Sequence, residues 1–123
     1  MGTRGARLVV STGDPRGIGP EACARAAASD ELPDNTGLTL VGSREVLEAA
    51  AADCGLELRA EAVGPDDPLP ESGAAVLDLG NFSAEELEPR RPDAESGRAS
   101  LDYIETAVEL VQGGRADALV TGP

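Results

Sequence analysis

A glycine-rich segment near the start of the chain, GDPRGIGPE at residues 13–21, carries the strongest chemical signal in the sequence. It follows an apolar run at residues 8–10 and precedes an alanine-rich stretch. A glycine-rich turn between a strand and a helix exposes backbone N–H groups, and the positive end of the helix dipole adds to their field. The segment therefore predicts a loop that binds phosphate or carboxylate at the carboxyl end of the first strand.

Gly13, Gly17 and Gly19 suit a loop that needs positive φ or a close backbone approach. Pro20 suits the first helical turn, where the N–H that it lacks would have no partner. Gly17, Gly19 and Ala22 also fit the pattern G-x-G-x-x-A, but a dinucleotide-binding fingerprint begins directly after its strand and contains no proline. We therefore disfavour a Rossmann fingerprint and keep a tight connection without a ligand as the alternative.

Charged residues elsewhere in the chain are better explained by solvation than by catalysis. Residues 94–112 form an amphipathic pattern whose apolar positions predict a buried helix face: Leu101, Ile104, Val108 and Val111. The acids on the opposite side of that helix predict a solvated surface, not a pair of catalytic carboxylates. Arg90 and Arg91, which lie between two prolines, predict a solvated basic pair, with an anion contact as the less favoured alternative.

The composition describes one acidic domain of 123 residues with a net charge of −13 and no histidine, and its ten basic residues are all arginine. The field of such a protein repels phosphate, which disfavours nucleic acid and anionic membranes as partners. No apolar run is long enough for a signal peptide or a membrane span, which predicts a soluble cytoplasmic protein. In that compartment Cys23 and Cys54 are expected to be two reduced, buried thiols rather than a disulfide.

Strand-like and helical runs alternate along the chain, which predicts a layered α/β/α domain. The predicted strands are residues 8–12, 38–41, 56–60, 75–79 and 118–121. The predicted helices are residues 21–29, 44–54 and 94–112, with Ser43 as the N-cap of the second helix and Gly55 just after its end.

The last three residues, Thr121, Gly122 and Pro123, follow a predicted core strand and begin a loop. Loops at the carboxyl ends of parallel strands carry the ligand site in open α/β sheets. A domain seldom stops at such a loop. The sequence therefore predicts an incomplete fold that is truncated after Pro123.

Four segments together resemble the 4-hydroxythreonine-4-phosphate dehydrogenase family: GDPRGIGPE at 13–21, DLGN at 78–81, ESGRASLDYI at 95–104 and DALVTGP at 117–123. The resemblance covers essentially all 123 residues and corresponds to the amino-terminal part of such an enzyme. The first segment is also similar to the GDGIGPE of isopropylmalate and isocitrate dehydrogenases, which share the fold class.

The resemblance implies an NAD-dependent oxidation and decarboxylation of 4-phosphooxy-L-threonine, a step of pyridoxal phosphate biosynthesis, with a divalent metal such as Zn, Mg or Co. One alternative is the related branch that oxidises 4-phospho-D-threonate or D-erythronate, and another is a non-catalytic α/β binding domain. The family's metal ligands are histidines and its phosphate clamps include lysine, so both are expected outside this segment. The segment alone is expected to be inactive, and a homodimer is expected of the full-length enzyme only.

Residues carried over by position form a substrate and cofactor cleft: Gly13, Asp14, Gly17, Gly19, Glu21, Thr121 and Gly122. No catalytic or metal-ligating residue is assigned. We expect Asp14 to orient a backbone turn or a neighbouring side chain, and Glu21 to be favoured by the helix dipole without a catalytic role. Arg16 stands where the family usually has a small residue, and its side chain is expected to project into solvent, with an added phosphate contact as the less favoured alternative.

Overall fold

The computed structural model describes residues 5–123 as alternating strands and helices. The strands are β1 (Ala6–Ser11), β2 (Thr36–Gly42), β3 (Glu61–Ala62), β4 (Gly73–Asp78) and β5 (Ala118–Thr121). The helices are α1 (Gly19–Ala28), α2 (Arg44–Asp53) and α3 (Ala94–Gln112), and a short 3-10 helix (Ala84–Leu87) precedes α3. The strands form one parallel sheet in the order β3-β4-β2-β1-β5.

Helices cover both faces of the sheet. Val10 of β1 shares an apolar core with Cys23 of α1 and Leu47 of α2. The neighbouring Val9 points to the opposite face, because successive strand residues alternate, and shares a core with Tyr103 of α3. This arrangement confirms the predicted α/β/α layering.

The direction in which strands are added to the sheet reverses at β1. From β1 the chain passes through α1 to β2 and through α2 toward β4, whereas α3 carries it back to the other side of β1 as β5. Open α/β sheets bind ligands in the crevice at such a reversal, outside the carboxyl ends of the strands. The carboxyl ends of β1 and β5 are therefore the candidate position for a ligand site.

Side chains define the starts of two helices at the carboxyl edge of the sheet. The hydroxyl of Ser43 accepts a hydrogen bond from the amide of Val46 at 3.3 Å, so the predicted N-cap of α2 is confirmed. Asp93 caps α3 by accepting from the amide of Ser96 at 2.9 Å, while the hydroxyl of Ser96 accepts from the amide of Asp93 at 2.9 Å. This reciprocal pair satisfies two amides that the helix itself leaves without partners.

The strand predicted at residues 56–60 is wrong. The third strand is only Glu61–Ala62, and residues 56–60 have no regular structure. The amide of Leu56 donates to Ala51 at 2.8 Å, and Gly55 adopts a φ of +70°, so the chain here completes the end of α2. The apolar alternation that suggested a strand places Leu58 and Ala60 against the core without strand pairing.

The buried face predicted for α3 is also wrong, although the bounds of the helix are confirmed. The buried residues are Ser96, Ala99, Tyr103, Ala107 and Leu110. Leu101 is 53% exposed, and the other three apolar residues of the predicted face are half-buried. Small side chains such as alanine let a helix approach a sheet closely, so the larger aliphatic residues lie on its flank.

Both cysteines are free thiols, as predicted, but the prediction that both are buried is wrong for Cys54, because it follows the last residue of α2 instead of lying on the inward face of a helix. Burial raises the pKa of the Cys23 thiol from 9.0 to about 11, whereas Cys54 lies half-buried after α2. We expect Ellman's reagent at pH 8 to label Cys54 first and Cys23 only as the protein unfolds, since the thiolate is the reactive form. Equal labelling rates in the native protein would contradict this burial, and labelling in urea is the control.

The same shift predicts how stability depends on pH in alkali. A pKa that is higher in the folded state stabilises the fold fully below pH 9.0 and progressively less as the pH rises toward 11.

Among residues 5–123, no helix is long and apolar enough to cross a membrane.

Candidate functional site

The loop after β1 packs against the chain that follows β5. The amide of Asp14 donates to the carbonyl of Pro123 at 3.1 Å, and the amide of Gly122 donates to the carbonyl of Ser11 at 2.8 Å. The first of these hydrogen bonds joins the first and last of the motif segments, and the second joins the last segment to the end of β1. The sequence predicted that both segments lie at strand ends, and the structure brings them into contact.

Two of the loop glycines are required by close backbone approach. A Cβ on Gly13, whose φ is +83°, would lie 2.2 Å from the carbonyl oxygen of Pro123. A Cβ on Gly19 would lie 2.0 Å from the carbonyl oxygen of Thr12. Real Cβ contacts are not this short, so both positions exclude a side chain unless the backbone moves.

Three amides of this loop already have acceptors within the chain. The amide of Asp14 donates to Pro123, that of Gly17 to the Asp14 carbonyl at 2.8 Å, and that of Arg16 to the Asp14 carboxylate at 2.9 Å. The start of α1, in contrast, has no side-chain cap. An anion at this loop would therefore meet the first turn of α1 rather than the amides of residues 14–17.

Asp14 belongs to a closed ring of hydrogen bonds with three other residues, which we call the Asp14 ring. One carboxylate oxygen of Asp14 accepts from the amide of Arg16 at 2.9 Å, and the other accepts from the Ser96 hydroxyl at 3.0 Å. Asp93 closes the ring, because it caps Ser96 and pairs with the guanidinium of Arg16. Asp14 thus orients both a turn and a neighbouring side chain, as expected of it.

The prediction that Arg16 projects into solvent is wrong. Its side chain is only 8% exposed and lies over the Phe82 ring, 5.4 Å from the ring centroid. Nε and Nη2 donate to the carbonyl oxygen of Glu86 at 2.8 and 2.6 Å. All of these partners lie at least 66 residues away in sequence, where no local pattern could reveal them.

The ion pair of Asp93 changes its titration. Hydrogen bonding from the Ser96 amide, followed by the Arg16 guanidinium, holds the pKa of Asp93 below 3.8. The carboxylate is therefore charged at neutral pH and serves the helix start and Arg16 together. A carboxylate held in this state is an acceptor, not a proton donor.

The DLGN segment after β4 joins the same edge through its polar side chains. The carboxylate of Asp78 accepts from the amides of Arg44 and Gly80, at 3.1 and 3.0 Å. The amide group of Asn81 donates to the carboxylate of Asp102 on α3 at 3.1 Å. All four motif segments are thus tied to one another at the carboxyl edge of the sheet.

The seven predicted cleft residues divide into three groups. Gly19, Thr121 and Gly122 line an apolar groove of about 330 Å³ between α1 and β5. Gly17 and Glu21 border a much smaller depression on the α2 side of the loop. The remaining two, Gly13 and Asp14, hold the loop in place by backbone packing and by the Asp14 ring.

Sequence reasoning missed a large polar residue that is buried beneath this edge. Tyr103 is fully buried, and among the described residues its hydroxyl has no hydrogen-bond partner. Burial, followed by the charges of Asp78, Asp102 and Asp14, raises its pKa, so the phenol stays protonated. One signal in the sequence could have indicated this burial: Tyr103 is the one aromatic residue of a helix whose other large nonpolar residues are aliphatic.

Replacing Tyr103 with phenylalanine tests whether that hydroxyl is used. A buried polar group without a partner costs about 1–3 kcal/mol, so we expect Tyr103→Phe to leave the free energy of unfolding unchanged or to raise it slightly. Urea unfolding measures this. A loss of more than about 1 kcal/mol would show that the hydroxyl has a partner, such as an ordered water. Tyr103→Leu, which also removes ring volume, is the control that should destabilise.

The described residues at this edge supply positions and shape, and they contain no cluster of side chains suited to binding a metal. Within residues 5–123 no cluster of three histidine, cysteine or acidic side chains could hold a metal ion. The carboxylates of Asp14, Asp78, Asp93 and Asp102 are all engaged in hydrogen bonds. A ligand at this edge would meet the first turn of α1, which has no side-chain cap, and the apolar groove between α1 and β5.

Comparison with known proteins identifies relatives over nearly the whole chain. The family model described as "Pyridoxal phosphate biosynthetic protein PdxA" matches residues 34–123. A Synechococcus protein named 4-hydroxythreonine-4-phosphate dehydrogenase is 37% identical over 118 residues, which are 95% of this chain and 32% of that protein. A Fusobacterium nucleatum protein named "Putative D-threonate 4-phosphate dehydrogenase" is 32% identical over 119 residues, 95% of this chain and 36% of its own.

A solved structure shows the same architecture. The crystal structure of a 4-hydroxythreonine-4-phosphate dehydrogenase from Burkholderia phymatum superposes with a TM-score of 0.85 at 27% identity, covering 98% of this chain and 37% of that one. The chain thus spans about a third of the length of its relatives.

Proposed function

The chain belongs to the PdxA family, and on that premise we propose that it is the amino-terminal part of an NAD-dependent dehydrogenase. The proposed substrate is 4-phosphooxy-L-threonine, the compound in the name of the Synechococcus relative. Its secondary alcohol would be oxidised to a ketone as hydride passes to the nicotinamide, and the resulting β-keto acid would then lose carbon dioxide. Both steps would take place in a cytoplasmic homodimer of the full-length enzyme.

One observation supports this proposal above the others: the four segments that resemble the family converge at one edge. The loop after β1 bonds to the residues after β5, the Asp14 ring bonds the loop to the start of α3, and Asn81 bonds the DLGN segment to α3. The carboxyl ends of parallel strands lie at one edge of the sheet, so the segments after β1, β4 and β5 share that edge. In open α/β sheets, ligands bind at this edge beside the strand reversal, which is where the segments after β1 and β5 lie.

The described residues contain no cluster of ligands for the metal that the family implies. The described part of the chain has no ligand cluster, and its nearby carboxylates already accept hydrogen bonds from backbone amides and side chains. We therefore assign the residues of this chain no step that involves a metal. Their proposed role is to shape the cleft: Gly19, Thr121 and Gly122 at the groove, and Asp14 as the support of the loop.

The name of the Fusobacterium relative supports a second candidate substrate, 4-phospho-D-threonate. The related D-erythronate phosphate is proposed with it on the sequence resemblance alone. The Fusobacterium protein matches as much of this chain as the Synechococcus protein does, at somewhat lower identity. The two substrates share a terminal phosphate and a secondary alcohol, so the residues described here suit both equally.

An assay of the full-length protein that contains this segment tests the proposal. NADH formation would be followed at 340 nm with each of the three phosphorylated hydroxy acids in turn, in the presence of Zn, Mg or Co. We expect turnover with 4-phosphooxy-L-threonine, while turnover with the D-threonate or D-erythronate phosphate alone would select the second candidate. No turnover with any of the three would contradict the dehydrogenase assignment and favour a non-catalytic α/β binding domain.

A further inference from the structure

The charges of this chain cannot neutralise one another. It contains 23 acidic residues and 10 arginines, which leaves a net charge of −13 at pH 7 however the side chains pair. Within residues 5–123, ion pairs engage the following arginines: Arg7, Arg16, Arg25, Arg44 and Arg90. The excess of negative charge is therefore a property of the whole surface and not of one missing contact.

The acidic residues lie where dissolved ions can reach them. Among residues 5–123 the buried polar residues are serines and threonines, and no acidic residue belongs to that set. Residues 30–34 carry three exposed acids in the connection between α1 and β2. Asp102, Glu105 and Glu109 follow one another on α3 at spacings of three and four residues, where side chains are neighbours and like charges repel. None of these six acids pairs with an arginine among the described residues.

Folding concentrates this charge. A chain of this length contracts from a radius of gyration of about 36 Å when unfolded to about 14 Å when folded. Self-repulsion therefore opposes the compact state more than the unfolded state. In 0.01 M salt the Debye length is about 30 Å, so carboxylates repel one another across the whole molecule, whereas in 1 M salt it is about 3 Å and only adjacent charges interact.

The ion pairs oppose this effect only weakly. Salt also screens attraction, but pairs such as Arg25 with Glu21, whose side chains are 60% and 51% exposed, contribute little to stability. The pair of Arg16 with Asp93 is screened less, because the Arg16 side chain is only 8% exposed. Repulsion among the unpaired carboxylates is thus the larger effect, and added salt should stabilise the fold.

We propose that ionic strength controls the folding of this chain: the fold is weak in dilute buffer and becomes stable as monovalent salt screens its acidic surface. The salt acts by screening at the whole surface and not by binding of one cation at one place. A bound cation would saturate its site at low concentration, whereas screening continues to increase up to about 1 M. The proposal is independent of the proposed function, because it rests on charge and burial alone.

Thermal unfolding of the 123-residue chain followed by circular dichroism tests the proposal at pH 7. Between 0.01 M and 1 M NaCl we expect the melting temperature to rise by at least about 10 °C, and KCl should produce the same rise. If the chain is unfolded in 0.01 M salt, the folded fraction at 25 °C is measured against salt concentration instead.

Two variants separate repulsion from other effects of salt. Asp30→Asn, Glu31→Gln and Asp34→Asn combined remove three of the 13 excess charges, so the rise should shrink by about 40%, since self-repulsion scales with the square of the charge. Arg59→Glu, at an exposed site, adds two negative charges and should enlarge the rise by about a third. Salt also strengthens hydrophobic burial, but equally in all three proteins, because none of these four residues belongs to the core.

Three results would overturn the proposal. The first is a melting temperature that stays constant or falls as salt is added, or a chain that remains unfolded even in 1 M salt. The second is an equal response of the unaltered chain and both variants, which would assign the rise to hydrophobic burial. The third is a response to only one of the two salts, or one that saturates at millimolar concentration, because either would indicate a bound cation.

Discussion

Gly19→Ala is expected to destabilise the fold by about 3 kcal/mol or more, or to prevent folding altogether. The new methyl group would lie 2.0 Å from the carbonyl oxygen of Thr12, at the end of a central strand that cannot move aside easily. Relief would require α1 to move away from β1, which would also open the groove beside β5. Urea unfolding followed by circular dichroism measures the loss.

The matched control is Gly97→Ala in α3. A Cβ at Gly97 meets nothing within 4 Å, and its φ lies outside the left-handed region. Alanine is favoured over glycine in a helix, so this variant should gain about 0.5–1 kcal/mol. If Gly19→Ala unfolds at the same urea concentration as the unaltered chain, the close approach between the loop and β1 does not exist in solution.

Removing the guanidinium of Arg16 is the second substitution with a large expected effect. Arg16→Ala should lower the free energy of unfolding by about 2–4 kcal/mol, since hydrogen bonds of a buried charged group and a ring contact disappear together. Both hydrogen bonds to the Glu86 carbonyl, the pair with Asp93 and the contact with Phe82 depend on this one side chain. Arg16→Lys should recover less than half of the loss, because a single ammonium cannot replace the planar fork.

Arg25→Ala is the control for Arg16→Ala, because it removes an arginine from an exposed pair. Arg25 pairs with Glu21 one helical turn away at 3.3 Å, and its side chain is 60% exposed. Such pairs contribute little, so the loss should stay below about 0.5 kcal/mol. Equal effects of Arg16→Ala and Arg25→Ala would show that the Arg16 contacts do not stabilise the fold.

Acid should weaken the effect of Arg16→Ala. The pKa of Asp93 is lower in the folded state, so its contribution is present above its unfolded value near 3.8 and is lost as the pH falls through the lower folded value. The difference in the free energy of unfolding between the unaltered chain and Arg16→Ala should therefore become smaller when the pH is lowered through that range. A gap that does not change with pH would mean that Asp93 and Arg16 are not coupled.

Local sequence patterns predicted the elements of this fold well. The bounds of α3 follow from its helical periodicity and from Gly113, which stops it, and β5 from a short apolar run after that stop. The pattern failed where one local signal had two explanations. The alternation at residues 56–60 fits a strand, but the amide of Leu56 donates its hydrogen bond to the carbonyl of Ala51 at the end of α2, so it is not available for strand pairing.

Contacts between distant segments could not be predicted in the same way. The sequence indicated that the loop after β1 and the residues after β5 lie at one edge, but not that the amides of Asp14 and Gly122 bond to the opposite segment. The place of Arg16 depends on Phe82, Glu86 and Asp93, which lie far from it in sequence and meet it only in the folded chain. The inward face of α3 depends likewise on how closely the helix approaches the sheet.

The Asp14 ring has a consequence for motion. Because it ties the loop after β1 to the first turn of α3 through both a carboxylate and a guanidinium, these segments must shift together as one rigid body. A conformational change that keeps these hydrogen bonds has to move residues 14–16 and 93–96 together and to bend the backbone outside both segments.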